Sequence, residues 1–363
     1  MKAGIYIHVP FCAKKCPYCD FYSVSYRADA AERYTDAVCR NLAALPANLS
    51  VDTVYFGGGT PSILPLAQIR RILSELSAHC DLSDDTEITL EANPLTMTPA
   101  RLAAWHEAGI NRLSVGVQSF QGDVLRQLGR QHSPEQAADA LRHAADAGFS
   151  NLSLDLMIGL AVQNPHLLDA DIQAALSLPV SHISAYLLKI EEGTPFASDA
   201  PPLLSEDDLA ARYLQLHTSL TEAGFSHYEI SNFAKPGYES RHNRKYWLCA
   251  PYYGIGPAAH SQNSGLRYAV PDDVNLFIQS PVQQTEVTDI NPLTDSERIM
   301  LGLRLHEGVD LNAYPDSRER ILKAAAPYIP KYLTVNGSCL TMTPEGWLLQ
   351  NAILVRILPD EEA

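Results

Sequence analysis

The chain has 363 residues, 46% of them apolar and 19% charged, with 24 Pro and 20 Gly. That is enough for one large domain or two ordinary ones with a real core, and it excludes collagenous, low-complexity and globally disordered chains. A total of 27 Lys and Arg against 42 Asp and Glu leaves a net charge of −15, which argues against nucleic acid as a partner.

The opening MKAGIYIHVPFC reads as a strand entering a cysteine cluster, not as a signal peptide. No run approaches the ~18 consecutive apolar residues of a membrane helix, so no integral membrane segment is expected. The expected location is the cytoplasm. Further along, β-rich runs recur at 5–9, 53–57, 87–91, 112–118, 151–159 and 182–189. Between them, apolar residues fall at helical spacing, as in 100–109 and 133–148. Gly109 and Gly148 sit where helices end, and Ser133 before Pro134 is a helix start.

Six strand–helix units with apolar strands predict an α/β fold with a parallel sheet, closed as a full or partial TIM-type barrel. A doubly wound open sheet is the alternative. After about residue 225 the rhythm changes: 227–235 reads as one more strand, and 241–261 as a loop-rich stretch dense in aromatics, Gly and His. From Thr294 onward come helices around SERIMLGLRL and SRERILKAAAPY, then a hairpin turning at Asn336-Gly337. The predicted division is a barrel core over 1–225, a connecting segment over 226–289 and a smaller, mainly helical C-terminal domain over 290–363.

Three of the seven cysteines fall within eight residues, Cys12, Cys16 and Cys19; Cys39, Cys80, Cys249 and Cys339 are scattered. An odd count in a chain read as leaderless points to a metal or redox site and not to a disulfide framework. Spacing alone leaves two metal centres open: structural zinc with a fourth ligand such as His8, or an iron–sulfur cluster. Three thiolates on a cubane leave one iron free for an exchangeable ligand. The other polar signals fall at predicted C-terminal strand ends: Gly57-Gly58-Gly59-Thr60, Glu91, Gln118 and, within its strand, Asp155. In a parallel barrel those ends form the active face. An acid flanked by Leu154, Leu156 and Met157 is costly to bury unless it is paired or used.

Together YIHVPFCAKKCPYCDF, YFGGGTPS, EANP, SVGVQSF, LGRQHS, HNRKYW and GIGPAAHS resemble the radical S-adenosylmethionine (SAM) superfamily, in its oxygen-independent coproporphyrinogen III oxidase-like branch. The resemblance runs from about 4 to 261 and into the C-terminal region. It implies a partial (β/α)6 radical SAM barrel with a [4Fe–4S] cluster on Cys12, Cys16 and Cys19, and SAM on the fourth iron. Carried over by motif, Tyr6, Gly58, Gly59, Thr60, Glu91, Gln118, Arg130 and Asp155 surround the SAM. Glycine backbone meets the methionyl ammonium, Arg130 a carboxylate, and Glu91 or Asp155 ribose hydroxyls or the ammonium.

Within the branch, the dehydrogenases carry a further cysteine two residues after the cluster and a longer N-terminal extension. Here that position is Phe21, eleven residues precede Cys12, and HNxxYW is present. These features resemble the HemW group of haem chaperones. That resemblance implies haem as ligand and haem-acceptor proteins, such as respiratory haem enzymes, as partners; the sequence leaves transient membrane association open. It makes His242 the expected haem ligand, with His260 and Cys249 as rivals. The alternative is a radical SAM oxidoreductase acting on coproporphyrinogen III or a related tetrapyrrole; a purely structural zinc protein is the third reading. Two stretches depart from the family pattern: DLMIGLAVQ, and Ala258 in GIGPAAHS, where glycine is frequent.

Overall fold

The computed structural model describes residues 2–358. Its centre is a sheet whose strands are, in chain order, β1 (Ala3–Val9), β2 (Leu49–Gly58), β3 (Cys80–Ala92), β4 (Arg112–Gln118), β5 (Asn151–Ile158), β6 (His182–Leu187), β7 (Ser226–Glu229), β8 (Asn232–Ala234), β9 (Tyr252–Ile255), β10 (His260–Asn263), β11 (Leu266–Ala269) and β12 (Glu286–Asp289). Their spatial order is β12-β11-β10-β9-β1-β2-β3-β4-β5-β6-β8-β7. Strands β1 to β6 are neighbours in chain order and parallel throughout. A doubly wound sheet would reverse its order at a switch point; strands β1 to β6 run on without one, and the partial-barrel expectation holds.

Alternation along the strands explains the layers. One face of each strand carries Ile5, Ile7, Val54, Phe56, Leu90, Leu113, Val115, Leu154 and Ile183, all buried in one core with the helices. The intervening positions are polar: Tyr6, His8, Thr53, Tyr55, Thr89, Glu91, Arg112, Ser114, Asp155 and Ser184. With a period of two residues, the apolar set faces the helices and the polar set faces the barrel interior. Helix α1 (Ala28–Ala43) shows the complementary pattern, burying Ala31, Tyr34, Thr35, Val38 and Leu42 at spacings of three and four. Full burial of a side chain such as Val38 is worth roughly 1.5–3 kcal/mol. Ser133 forms a capping box with Gln136 at the start of α2 (Pro134–Asp146), and Gly148 follows that helix at φ +102°.

Two expectations need correction. The strand over 227–235 is the antiparallel pair β7 and β8, and β8 also pairs antiparallel with β6. The loop-rich stretch 241–261 contains helix α3 (Arg241–Trp247) and strand β9, which runs parallel to β1 with Gly4 opposite Tyr252 and Ile7 opposite Ile255.

Beyond β12, Ile299, Leu303, Leu311, Ile321, Leu340, Trp347 and Ile353 form a separate apolar cluster. It lies among helices at Asp295–Gly302, Pro315–Ala325 and Gln350–Ile357 and a three-stranded sheet. The expected hairpin joins Leu333–Asn336 to Cys339–Met342 and turns at Gly337, φ +64°. Among the described residues no helix is long and apolar enough to cross a membrane.

Candidate functional site

A cavity of about 410 Å³ opens at the C-terminal ends of the barrel strands. Its outer wall is the cysteine loop, pinned at both ends. Phe11 and Cys12 pair in parallel with Val24 and Ser25, and Phe11 is fully buried edge-on to Tyr26 and Tyr34. The Cys19 amide donates to the Cys16 carbonyl at 3.2 Å, tightening the turn. All three cysteines line the cavity as free thiols. The Cys12 thiol lies 3.5 Å from the Thr60 hydroxyl, and the Cys16 thiol 3.5 Å from Nη1 of Arg130. Burial pushes the Cys19 thiol up.

The glycine run is a packing requirement. Gly59 and Thr60 donate backbone N–H groups to the carbonyls of Val9 and Phe11, at 2.9 and 2.8 Å. A Cβ on Gly59 would stand 2.8 Å from the Phe11 carbonyl oxygen, and Gly58 has φ +110°. The Gly58 N–H is already spent on Glu91 Oε2 at 3.2 Å, so this donor serves the protein.

Two half-buried acids face the cavity. Glu91 accepts from the Tyr55 hydroxyl at 2.8 Å, and Asp155 lies 3.5 Å from the Ser114 hydroxyl. Burial pushes Glu91 up to about 7 and Asp155 up to about 6, with Tyr55 and Ser184 hydrogen bonds respectively opposing. The wholly interior Arg112 counteracts both shifts and leaves Nε and Nη1 without partners. Gln118 ends β4 at φ +73°, a strained conformation for a residue other than glycine. Its buried Oε1 has no hydrogen-bond partner, nor does Nε of Arg130, whose Nη2 donates to the Gly116 carbonyl. An orphaned acceptor and an orphaned donor thus share one cavity wall, an arrangement that suits a ligand carrying both an ammonium and a carboxylate.

Gly58, Gly59, Thr60, Glu91, Gln118, Arg130 and Asp155 therefore share the cavity with the three cysteines. Tyr6 does not: it lies below, its hydroxyl 3.1 Å from Nδ1 of His8 and its ring stacked 6.1 Å from Tyr55. His242 departs further from expectation. It is 1% exposed, with Nδ1 2.9 Å from the Thr53 hydroxyl and Nε2 3.0 Å from the Tyr246 hydroxyl. Both ring nitrogens are engaged inside the barrel, so the imidazole presents none to a haem iron. His8 is similarly occupied by Tyr6 and the Tyr22 carbonyl. Cys249 borders a second, smaller cleft beside Trp247 and Arg298, and His260 is exposed on β10.

Sequence reasoning missed Ser114, Met157 and Tyr186 on the cavity wall. Their alternation with apolar neighbours in the predicted strands was the available signal. It also missed the mouth, where Lys14, Lys15, Lys189 and Phe21 gather. Phe21 is 62% and Tyr186 40% exposed. At the DLMIGLAVQ departure, the Gln163 carbonyl accepts from the N–H groups of Gly159 and Leu160, and its amide donates to the Met157 carbonyl. One side chain thereby fixes this strand end.

The radical SAM superfamily model matches residues 6–175, and the HemN C-terminal domain model matches 296–349. The haem chaperone HemW of Escherichia coli K12 is 40% identical over 71% of this chain and 70% of its own. HemW of Synechocystis is 34% identical, covering 98% and 96%; that of Bacillus subtilis 168 is 33% identical, covering 97% and 98%. Among solved structures, the coproporphyrinogen III oxidase HemN of Escherichia coli, a radical SAM enzyme, superposes with a TM-score of 0.83. It is 24% identical and covers 98% of this chain and 90% of that one, a likeness of fold.

Proposed function

The chain belongs to the HemW family of haem chaperones within the radical SAM superfamily, and from that premise we propose that it holds haem at the mouth of the cysteine-lined cavity and passes it to acceptor proteins. A radical SAM domain implies a [4Fe–4S] cluster and SAM. The donor set suits both: three free thiols on one loop, two half-buried acids, and the unpartnered Gln118 Oε1 and Arg130 Nε.

In this reading Cys12, Cys16 and Cys19 ligate the cluster, which supplies an open iron site and low-potential electrons when bound. Arg130 holds the methionyl carboxylate and Gln118 accepts from the ammonium. Glu91 and Asp155 offset the ligand's positive charge, each taking the ionised form as a cation arrives. Thr60 supports Cys12, and the Phe11–Cys12 pairing keeps the loop closed over the cavity.

The mouth carries the haem proposal. On a chain of net charge −15, Lys14, Lys15 and Lys189 outnumber Asp20 and Glu191 at one opening, beside the exposed Phe21 and with Tyr186 on the wall within. Haem is a flat apolar disc with two propionates, and an aromatic surface edged by cations matches it in shape and charge. Lys189 is held by Glu191 at 2.7 Å. Lys14 and Lys15 have no ion pair among the described residues, so their charge is available to propionates.

The test is a Soret titration of anaerobically reconstituted protein, wild type against Lys14→Glu/Lys15→Glu and against Phe21→Ser. Saturation near one haem per chain, weakened about tenfold by the charge reversal, supports the reading. Subsequent transfer to an apo haem protein completes it. Absence of saturable binding, together with anaerobic decarboxylation of coproporphyrinogen III, would replace it with the oxidoreductase.

A further inference from the structure

The HNRKYW helix lies at the opposite end of the barrel from the haem mouth. Glu87 on β3 accepts the N–H groups of Arg241 and His242 at 3.2 and 3.1 Å, anchoring the start of α3. Lys245 pairs with Asp52 at 2.6 Å and donates to the Lys2 carbonyl at 3.0 Å. The fit depends on Gly4: a Cβ there would stand 2.9 Å from Lys245 Cδ and 3.1 Å from His242 Cε1. Helix α3 plugs the N-terminal end of the barrel and directs His242 inward.

We propose that His242 is a positioning residue for Glu91, acting through Tyr55. The His242 ring stacks on Tyr55 at 5.2 Å and 29°, and the Tyr55 hydroxyl donates to Glu91 Oε1 at 2.8 Å. Thr53 and Tyr246 hold the imidazole from either side, so it is a fixed plane. Tyr6 stacks on Tyr55 at 6.1 Å and 27°. Tyr55 therefore has two aromatic neighbours, and removing His242 frees the phenol to swing from the carboxylate. Burial holds His242 near a pKa of about 3, so the ring is neutral across the working range and acts by shape and not by charge. The outer side of the same helix contacts the C-terminal region: Arg244 pairs with Glu307 at 2.9 Å, and Arg304 lies 5.0 Å over the Trp247 ring. A column of contacts thus runs from the C-terminal region through the plug to the cavity acid.

This inference rests on the reading that Glu91 faces SAM. The experiment is a double-mutant cycle in reconstituted holoprotein, His242→Ala and Tyr55→Phe, reading SAM affinity by equilibrium dialysis and haem by Soret titration. Each single change should weaken SAM about tenfold with haem saturation unaltered, and the double should be no worse than the weaker single. The cycle also predicts that the acid limb of SAM binding moves to higher pH in both singles. The groups facing Glu91 besides Tyr55 are Asp155, Arg112 and the Gly58 N–H, with the Tyr6, Tyr186 and Tyr246 phenols around them; only Tyr246 loses a hydrogen-bond partner in His242→Ala, and burial keeps that phenol protonated and uncharged. Additive losses, or an unchanged SAM affinity in folded His242→Ala, would overturn the proposal. Loss of the Soret change with SAM intact would do so too, and would return His242 to the haem. Should His242→Ala fail to fold, His242→Asn keeps a partner for Thr53 without a ring on Tyr55 and makes the same comparison. Glu91→Gln separates the premises: SAM affinity unchanged there would remove the SAM reading itself.

Discussion

The guanidinium of Arg130 reaches the Cys16 thiol at 3.5 Å with one nitrogen and the Gly116 carbonyl with another, leaving Nε buried without a partner. A cation held in place by two contacts and still short of one acceptor is prepared for a carboxylate. Arg130→Met keeps the apolar bulk and removes the charge. A charge-assisted hydrogen bond contributes about 1.5–3 kcal/mol, so SAM should bind at least tenfold more weakly. Iron and sulfide content should stay at the wild-type value, because the three thiols remain. Dialysis with labelled SAM, alongside iron analysis of the same preparation, reads both; loss of iron together with SAM would make Arg130 part of the cluster's support instead.

The cysteines divide by place. Cys12, Cys16 and Cys19 line the cavity, while Cys39 lies on α1 and Cys80 begins β3. Cys16→Ser should abolish the brown absorbance and the bound iron and leave a folded chain with impaired SAM binding. Cys39→Ser should retain cluster, iron and SAM. Retention of full iron in Cys16→Ser would refute the ligand assignment.

Two half-buried cavity acids give the apoprotein a pH dependence of definite sign. Glu91 and Asp155 titrate above the ordinary carboxylate range, at about 7 and about 6, so the folded state favours their protonated forms. Their contribution is complete below the ordinary carboxylate range and is lost as pH rises through about 6 and then about 7. For Glu91 the loss is on the order of 3 kcal/mol. Denaturant midpoints should fall from pH 5 to pH 8, and Glu91→Gln should flatten that slope. SAM, which is cationic at its ammonium and sulfonium, favours ionised carboxylates, so its affinity should rise over the same interval. An apoprotein whose Glu91→Gln variant keeps the wild-type slope would place the titration elsewhere.

Much of this site is legible in the amino-acid sequence, for identifiable reasons. Strands β1 to β6 read clearly because residues such as Ile5, Ile7, Leu113 and Val115 alternate with polar ones, and Gly109 and Gly148 punctuate the helices. The cysteine loop, the glycine run and Glu91 follow strand ends, so chain order alone puts them on one face. Helix α3 is hidden because its seven residues, RHNRKYW, show no apolar period; its buried side is a histidine and a lysine held by Thr53, Tyr246 and Asp52. Strand β9 is four residues long with Gly254 inside it, too short for periodicity to identify. The place of His242, buried away from the cavity, is hidden for a related reason. Aromatic neighbours signal a ring environment but do not reveal which end of the barrel holds it.

Ala258 shows how a family departure can carry a local cost. Its φ is +61°, the left-handed region in which a Cβ is disfavoured, and its N–H is fixed to the carbonyls of Val270 and Pro271 at 3.1 and 3.2 Å. The turn cannot relax without losing these bonds. Gly256, two residues earlier at φ +111°, cannot take a side chain at all, since a Cβ would lie 2.6 Å from the His8 carbonyl oxygen. The left-handed penalty for alanine is about 1–2 kcal/mol, and glycine's greater freedom in the unfolded chain returns about 0.4–1 kcal/mol of that. Ala258→Gly should therefore stabilise the protein by roughly 0.5–1 kcal/mol, read as a higher denaturant midpoint at unchanged slope. SAM and haem affinities should not move, because Ala258 lies outside the cavity wall. A lower midpoint would mean that the Cβ makes packing contacts worth more than the strain it incurs.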